Sequence, residues 1–164
     1  MAHGIQLRPA RPADVEAIAR LNNQFADEML MLRRTPEMIA LTIDDFVVAV
    51  NTEGLLLGCG ALKEYSPSVA EVAAIAVSRD AHGQGLGRLV VGAVERLAMK
   101  REIFDVFALT LQPKFFSACH YTQVDRARYP EKIRRDCLGC ARRFACDEYC
   151  FAKNLRVEAL HIAA

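Results

Sequence analysis

Apolar residues recur along this chain at two different periods, and each change of period marks a new element. Val15, Ile18, Ala19, Leu21, Asn22 and Phe25 follow a helical spacing after Pro12-Ala13-Asp14, which reads as a helix start. Ile5 to Arg8 ahead of it reads as a short strand. Glu28 to Arg34 continues the helix or leaves it as a loop. Thr35-Pro36-Glu37 opens a second helix, with Thr35 as N-cap, Pro36 at the first position, and Met38 and Leu41 turned inward. The pattern then becomes strand-like. Phe46 to Val50, Leu55 to Tyr65 and Val69 to Val77 are apolar runs separated by Asn51-Thr52-Glu53-Gly54 and Ser66-Pro67-Ser68. Connections this short predict antiparallel pairing.

The period changes again after Val77. Leu86, Leu89, Val90, Ala93, Val94 and Leu97 mark a strong amphipathic helix. Phe104 to Leu111 is an apolar strand. Strand, helix and strand in that order predict a parallel pair between 69–77 and 104–111. Pro113 to Cys119 and Tyr129 to Lys132 suggest short helices, and Tyr149 to Leu155 a strand that closes the sheet. The expected fold is one α/β domain over residues 1–164, with a mixed, mostly antiparallel twisted sheet flanked by helices. Residues 136–150 form a cysteine-rich insertion within it.

Composition narrows the function. The chain has 164 residues, 52% hydrophobic and 25% charged, with a net charge of +1, which fits a globular domain with a sizeable core. Arg126, Arg128, Lys132, Arg134, Arg135, Arg142 and Arg143 cluster locally and read first as a solvated or anion-binding face; with a net charge of only +1, no nucleic-acid partner is expected. No apolar run approaches the ~18 residues of a membrane span, and Met1 to Pro12 lacks a signal-peptide core. A cytoplasmic location with reduced thiols is expected, without membrane association. A homodimer is compatible with these features.

Candidate chemistry begins at His82-Gly83-Gln84-Gly85-Leu86-Gly87-Arg88, between the third strand of the β-rich stretch and the amphipathic helix. Glycines let the backbone turn and approach a ligand, and the unpaired N–H groups of a helix start face an anion such as a diphosphate. A bland glycine-rich turn is the alternative. A dinucleotide fold is disfavoured, because three antiparallel strands precede the loop. A P-loop is excluded by the missing Gly-Lys-Ser/Thr.

The order of elements and this loop resemble the GNAT superfamily of N-acetyltransferases, whose signature is Gln/Arg-x-x-Gly-x-Gly/Ala; here His82 stands at the first position. The resemblance implies acetyl-CoA as cosubstrate, held by residues 82–88. It also implies a central parallel strand pair splayed to admit the pantetheine arm against Ile75, Ala76 and Val77. Further motifs are similar to the acetyltransferase domain of the bacterial N-acetylglutamate synthases in their short, stand-alone form. They are Met31-Leu32-Arg33-Arg34-Thr35, Phe46-Val47-Val48, Gly58-Cys59-Gly60-Ala61-Leu62-Lys63, Glu71 to Val77 and Phe107-Ala108-Leu109-Thr110. They imply transfer of acetyl to the α-amine of L-glutamate, a step of arginine biosynthesis.

On that resemblance Glu71 would accept the amine proton, the N–H near Ile75 would meet the oxyanion, and Thr110 would donate to the leaving thiolate. Phe116 stands where many members carry a Tyr. Arg34 would hold the α-carboxylate, with Lys63, Ala74 and an Arg near 142 or 143 also near the substrate. Plainer readings exist for each: Glu71 as a solvent-facing strand residue, Arg33 or Arg34 as surface charge, Thr110 as a β-former, His82 as a loop residue facing water. Rival functions are acetylation of another amine, and a regulatory module that acetylates nothing.

Cys137, Cys140, Cys146 and Cys150 form C-x2-C-x5-C-x3-C. Four thiolates could complete a tetrahedral zinc site. Unligated thiols, a disulfide or an iron–sulfur cluster are the alternatives.

Overall fold

The computed structural model describes residues 4–156. They form seven strands and five α-helices. The chain opens with β1 (Gln6–Pro9), a 3-10 turn at Pro12–Asp14 and α1 (Val15–Asp27). Arg8 locks that turn with two bonds to the Asp14 carboxylate, 2.7 and 2.9 Å. α2 (Pro36–Leu41) starts as its sequence predicts, with Thr35 Oγ1 accepting the Met38 N–H at 3.2 Å. Its inward residue, however, is Ile39, which is fully buried, while Met38 and Leu41 are exposed. The helix is too short for both ends of the expected face to reach one core.

The strands β2 (Phe46–Val50), β3 (Leu56–Ser66) and β4 (Val69–Val77) follow. All five residues of β2 are buried, as expected for an apolar run with no alternation. A crossover helix, α3 (Leu86–Lys100), leads to β5 (Asp105–Thr110), then α4 (Pro113–Ala118), β6 (Thr122–Val124), α5 (Pro130–Lys132), a π-helical turn at Ile133–Cys137 and β7 (Tyr149–Asn154). The strand order is β1-β2-β3-β4-β5-β7-β6.

β4 and β5 pair in parallel over Val69↔Asp105, Ala70↔Val106 and Glu71↔Phe107. The expected parallel pair is therefore present, but its ladder is short. β7 differs from expectation more: it pairs antiparallel with β5 on one side and β6 on the other, so β6 is the edge strand. A three-residue strand is too short to display alternation, which is why β6 left no mark in the pattern.

The described residues fall into two compact units. One holds the chain up to Leu62 together with Val72–Leu97; the other holds Lys63–Glu71 and the chain from Ala98 onward. In the first unit, Ile18, Leu21, Ile39, Phe46, Val48 and Cys59 form the core. In the second, Phe107, Tyr129, Cys150 and Ala152 do so, with Tyr65 and Leu109 against them.

Gly60 shows how tightly the first unit is packed. A Cβ there would lie 2.7 Å from Ile75 Cδ1, and 2.9 Å from Val90 Cγ1 and from Val94 Cγ2. The two valines are β-branched and stiff, so the strand and α3 would have to part. Gly60→Ala is expected to cost about 1–3 kcal/mol of stability, read as a lower denaturant midpoint. An unchanged midpoint would show that this close approach is not needed.

Candidate active site

In the first unit, β4 runs through a 3-10 turn at Arg79–Ala81 into the glycine loop and α3. Gly83 and Gly85 have φ of +75° and +79°, and a Cβ on either would meet open space. Left-handed backbone, rather than crowding, is what calls for glycine there. Leu86 is buried and pins the first turn of α3, whose leading N–H groups have no partner inside the helix.

The loop is braced by its own side chains. His82 Nε2 lies 2.8 Å from the carbonyl oxygen of Val77, so that nitrogen carries the proton and donates. Its ring stacks on Phe25 at 6.2 Å, and Arg79 lies over the same Phe25 while pairing with Glu28. Gln84 donates to the Asp80 carbonyl at 3.2 Å. His82 is thus exposed but latched to the end of β4. Its backbone, and not its ring, is what remains for a ligand. Within β4, Ala74 is buried yet has φ of +54°, a conformation that costs a non-glycine residue energy. It re-aims the strand just before Ile75, Ala76 and Val77.

The same unit separates the two arginines. Arg33 pairs with Asp27 at the surface. Arg34 is held by two asparagines of α1: its guanidinium donates to Asn22 Oδ1 at 3.1 Å, and its backbone exchanges bonds of 3.0 and 2.8 Å with the Asn23 side chain. Asn22 is fully buried and also donates to the Leu32 carbonyl at 2.9 Å. Asn22 lies on the face that the helical spacing marks, and its amide, with that of Asn23, fixes the segment 32–34.

In the second unit, Glu71 is not a solvent-facing strand residue; it is 6% exposed. Its Oε2 accepts from Tyr65 Oη at 2.9 Å and from Lys132 Nζ at 2.9 Å. Asp136 Oδ2 accepts from Lys63 Nζ at 2.6 Å, Tyr65 Oη at 2.5 Å and Lys132 Nζ at 3.0 Å. A phenol has one proton for two carboxylates; whichever takes it, Lys132 serves both. Burial works against a charged Asp136, but the bonds from Lys63, Tyr65 and Lys132 outweigh it and hold the carboxyl well below the usual carboxylate range. Burial, then the two carboxylates, pushes the Tyr65 phenol far up, so it stays protonated. Burial alone would lower Lys132, but Glu71 and Asp136 raise it, so it stays an ammonium.

Thr110 ends β5, buried, with Oγ1 accepting the Gln112 N–H at 2.8 Å. That bond uses an acceptor lone pair and leaves the hydroxyl proton for another partner. Phe116 and Tyr121 are both buried and meet edge to face at 5.2 Å, which is core packing.

Residues 15–123 match the acetyltransferase (GNAT) family. The chain belongs to that family. It is an N-acetyltransferase by kinship as well: it is 38% identical, over 91% of its length and 96% of the other's, to an uncharacterized N-acetyltransferase of Chlorobaculum tepidum. It is 28% identical to an amino-acid acetyltransferase of Mycobacterium tuberculosis, covering 73% of this chain and 69% of that one. Among solved structures it is similar to N-acetylglutamate synthase from Neisseria gonorrhoeae complexed with coenzyme A and N-acetyl-glutamate, with a TM-score of 0.83 and 25% identity. That likeness covers 92% of this chain but only 35% of the synthase.

Of the alternatives open for the clustered thiols, the structure has the unligated one and not a zinc site. Among the described residues no three His, Cys, Asp or Glu side chains converge to hold a metal, and Cys137, Cys140, Cys146 and Cys150 are free thiols. The reason is β7. It takes Cys150 out of the loop and packs it against Phe107, Tyr129 and Ala152, where burial pushes the thiol up to about 11. Cys140 Sγ accepts the Arg142 N–H at 3.4 Å, and Cys146 donates to Glu148 at 3.8 Å. Arg142 pairs with Asp147, and Arg143 donates to the Leu138 carbonyl, so both arginines brace their own loop.

Tyr65 and Asp136 carry no motif in the sequence, and Lys132 stands out only as one of a basic cluster, although two further signals are present. Tyr65 stands two residues after Lys63 on one strand face, and Lys132 and Asp136 stand at i and i+4.

The thiolate is the reactive form of cysteine. Iodoacetamide labelling of the native protein at pH 8 is therefore expected to modify Cys140 and Cys146 at least about tenfold faster than Cys150 and Cys59. Cys59 is fully buried, with its thiol pushed up to about 12. Equal rates by peptide mass mapping would contradict this placement.

Proposed function

We propose that the protein transfers the acetyl group of acetyl-CoA to the α-amine of a free amino acid, L-glutamate, by direct attack with both substrates bound. The observation that carries this reading is Glu71: a buried carboxylate on β4, the same strand that continues through Ile75–Val77 into the glycine loop. The names of the relatives from M. tuberculosis and N. gonorrhoeae point to the same acceptor class.

The residues fit acetyl-CoA. The N–H groups at the start of α3 and the two left-handed glycines make a cradle for a diphosphate. When bound, acetyl-CoA supplies the activated acyl group. Glu71 takes the proton that the attacking ammonium must lose. Once Glu71 is protonated, Lys132 still has Asp136 as its counter-ion, so the buried ammonium is never left alone. The N–H near Ile75 faces the oxygen that gains charge, and Thr110 holds a hydroxyl for the departing sulfur. Arg34, fixed by Asn22 and Asn23, holds the α-carboxylate.

The test is thiol release with a panel of free amino acids. Glutamate is expected to give the largest kcat/KM, and Glu71→Gln to lower kcat by about 10²–10⁴-fold while leaving acetyl-CoA affinity within error. If glutamate releases no more thiol than buffer while another amine does, the glutamate assignment fails. An E71Q enzyme with full turnover removes Glu71 as the base.

A further inference from the structure

Three donors converge on one oxygen of Asp136. Lys63 Nζ, Tyr65 Oη and Lys132 Nζ lie 2.6, 2.5 and 3.0 Å from its Oδ2. Lys63 and Tyr65 belong to β3, whereas Asp136 comes from the π-helical turn. The cations gather over one ring: Lys63, Lys132 and Arg135 stand 5.4, 5.7 and 4.8 Å from the Tyr65 centroid. Arg135 is turned to the Glu64 carbonyl. Such a set of donors is what a recognition site offers a carboxylate, and here the chain's own carboxylate fills it.

We propose that Lys63, Tyr65 and Lys132 form the seat for the side-chain carboxylate of an acidic acceptor, and that Asp136 is an internal competitor for this seat. The inference rests on the reading of Glu71 as the base. Glu71 and Asp136 share Tyr65 and Lys132, so their oxygens are no further apart than the two Lys132 bonds of 2.9 and 3.0 Å laid end to end. An amine at Glu71 therefore has its side chain within reach of the seat. Charge decides what may enter. Lys63 and Lys132 are matched by Glu71 and Asp136. Glu148 also senses this group, its carboxyl raised by burial and then by Glu71. A further carboxylate would need the donors that Asp136 already holds and so must displace it, whereas a side-chain amide does not compete as an anion for them. Asp136 is the member able to leave: its side chain is 26% exposed, against 8% for Glu71 and 15% for Lys132.

The experiment uses the full chain as wild type, Asp136→Asn and the double variant D136N/K63M. Glutarate, a dicarboxylate without an amine, is titrated calorimetrically, and KM is measured for glutamate and glutamine. D136N is expected to bind glutarate about tenfold tighter and to lower the glutamate KM by about tenfold, with the glutamine KM within about twofold. Adding K63M removes the gain. Unchanged or weaker glutarate binding by folded D136N overturns the seat. Should D136N fail to fold, carbon-13 NMR of the wild-type aspartate carboxyls, with Asp136 assigned, is read at saturating glutarate; an unmoved Asp136 signal overturns it equally. The two readings separate cleanly. Glutarate gain without acetylation of any amino acid keeps the seat and defeats the proposed reaction; glutamate acetylation without glutarate gain does the reverse.

Discussion

A carboxylate inside a sheet needs a cation or several donors, because the protein interior does not solvate charge. Glu71 has both, and much of the second unit is arranged to supply them. Lys132 can reach Glu71 only if the segment that carries it is held over the strands. Tyr129 holds it: its ring stacks on Phe107 at 4.0 Å and its hydroxyl donates to Asp105 at 3.1 Å. Phe107 is the β5 residue in register with Glu71. The support therefore runs from β5 through Tyr129 to α5 and back to β4. Removing one partner of a buried pair costs about 3–5 kcal/mol, more than the pair itself contributes over an apolar replacement. Such a pair is better explained by what the carboxylate does than by the stability it confers.

What could be read from the sequence followed from how locally each feature is determined. α3 and the glycine loop depend on spacing and on left-handed backbone within a few residues, and both are where the pattern puts them. β4 matches to the residue. Thr35 caps α2 as its composition predicts, but the face of a six-residue helix is set by what it packs against; Ile39 took the place expected of Met38 and Leu41. The choice among the alternatives for the cysteines was closed to the sequence for a related reason. A C-x2-C-x5-C-x3-C spacing says how far apart thiols are along the chain, while the pleat of β7 decides that Cys150 faces the core. β7 itself is paired on both sides, and one partner, β6, is too short to announce itself.

The two halves of the chemistry differ in the same way. Recognition of a diphosphate relies on backbone N–H groups, so the glycines mark it and the side chains may vary. His82 illustrates this: the residue that departs from the family signature turns its ring to the Val77 carbonyl and stacks on Phe25. The departure alters how the loop is fastened and leaves the N–H donors in place. The polar group proposed to meet the acceptor's side chain is built from side chains brought from β3, β4, α5 and the π-helical turn, 63 to 136 in the numbering. A single sequence does not show which of its charges meet across that span. Glu71 was visible because it stands at a motif. Asp136 carries no motif, and Lys132 is one basic residue of several; their tie to Glu71 lies in the folded contacts of Tyr65 and Lys132 with both carboxylates. On the proposed reading, the acceptor is chosen less by any one residue than by how the charges among Lys63, Glu71, Lys132 and Asp136 balance when a substrate enters.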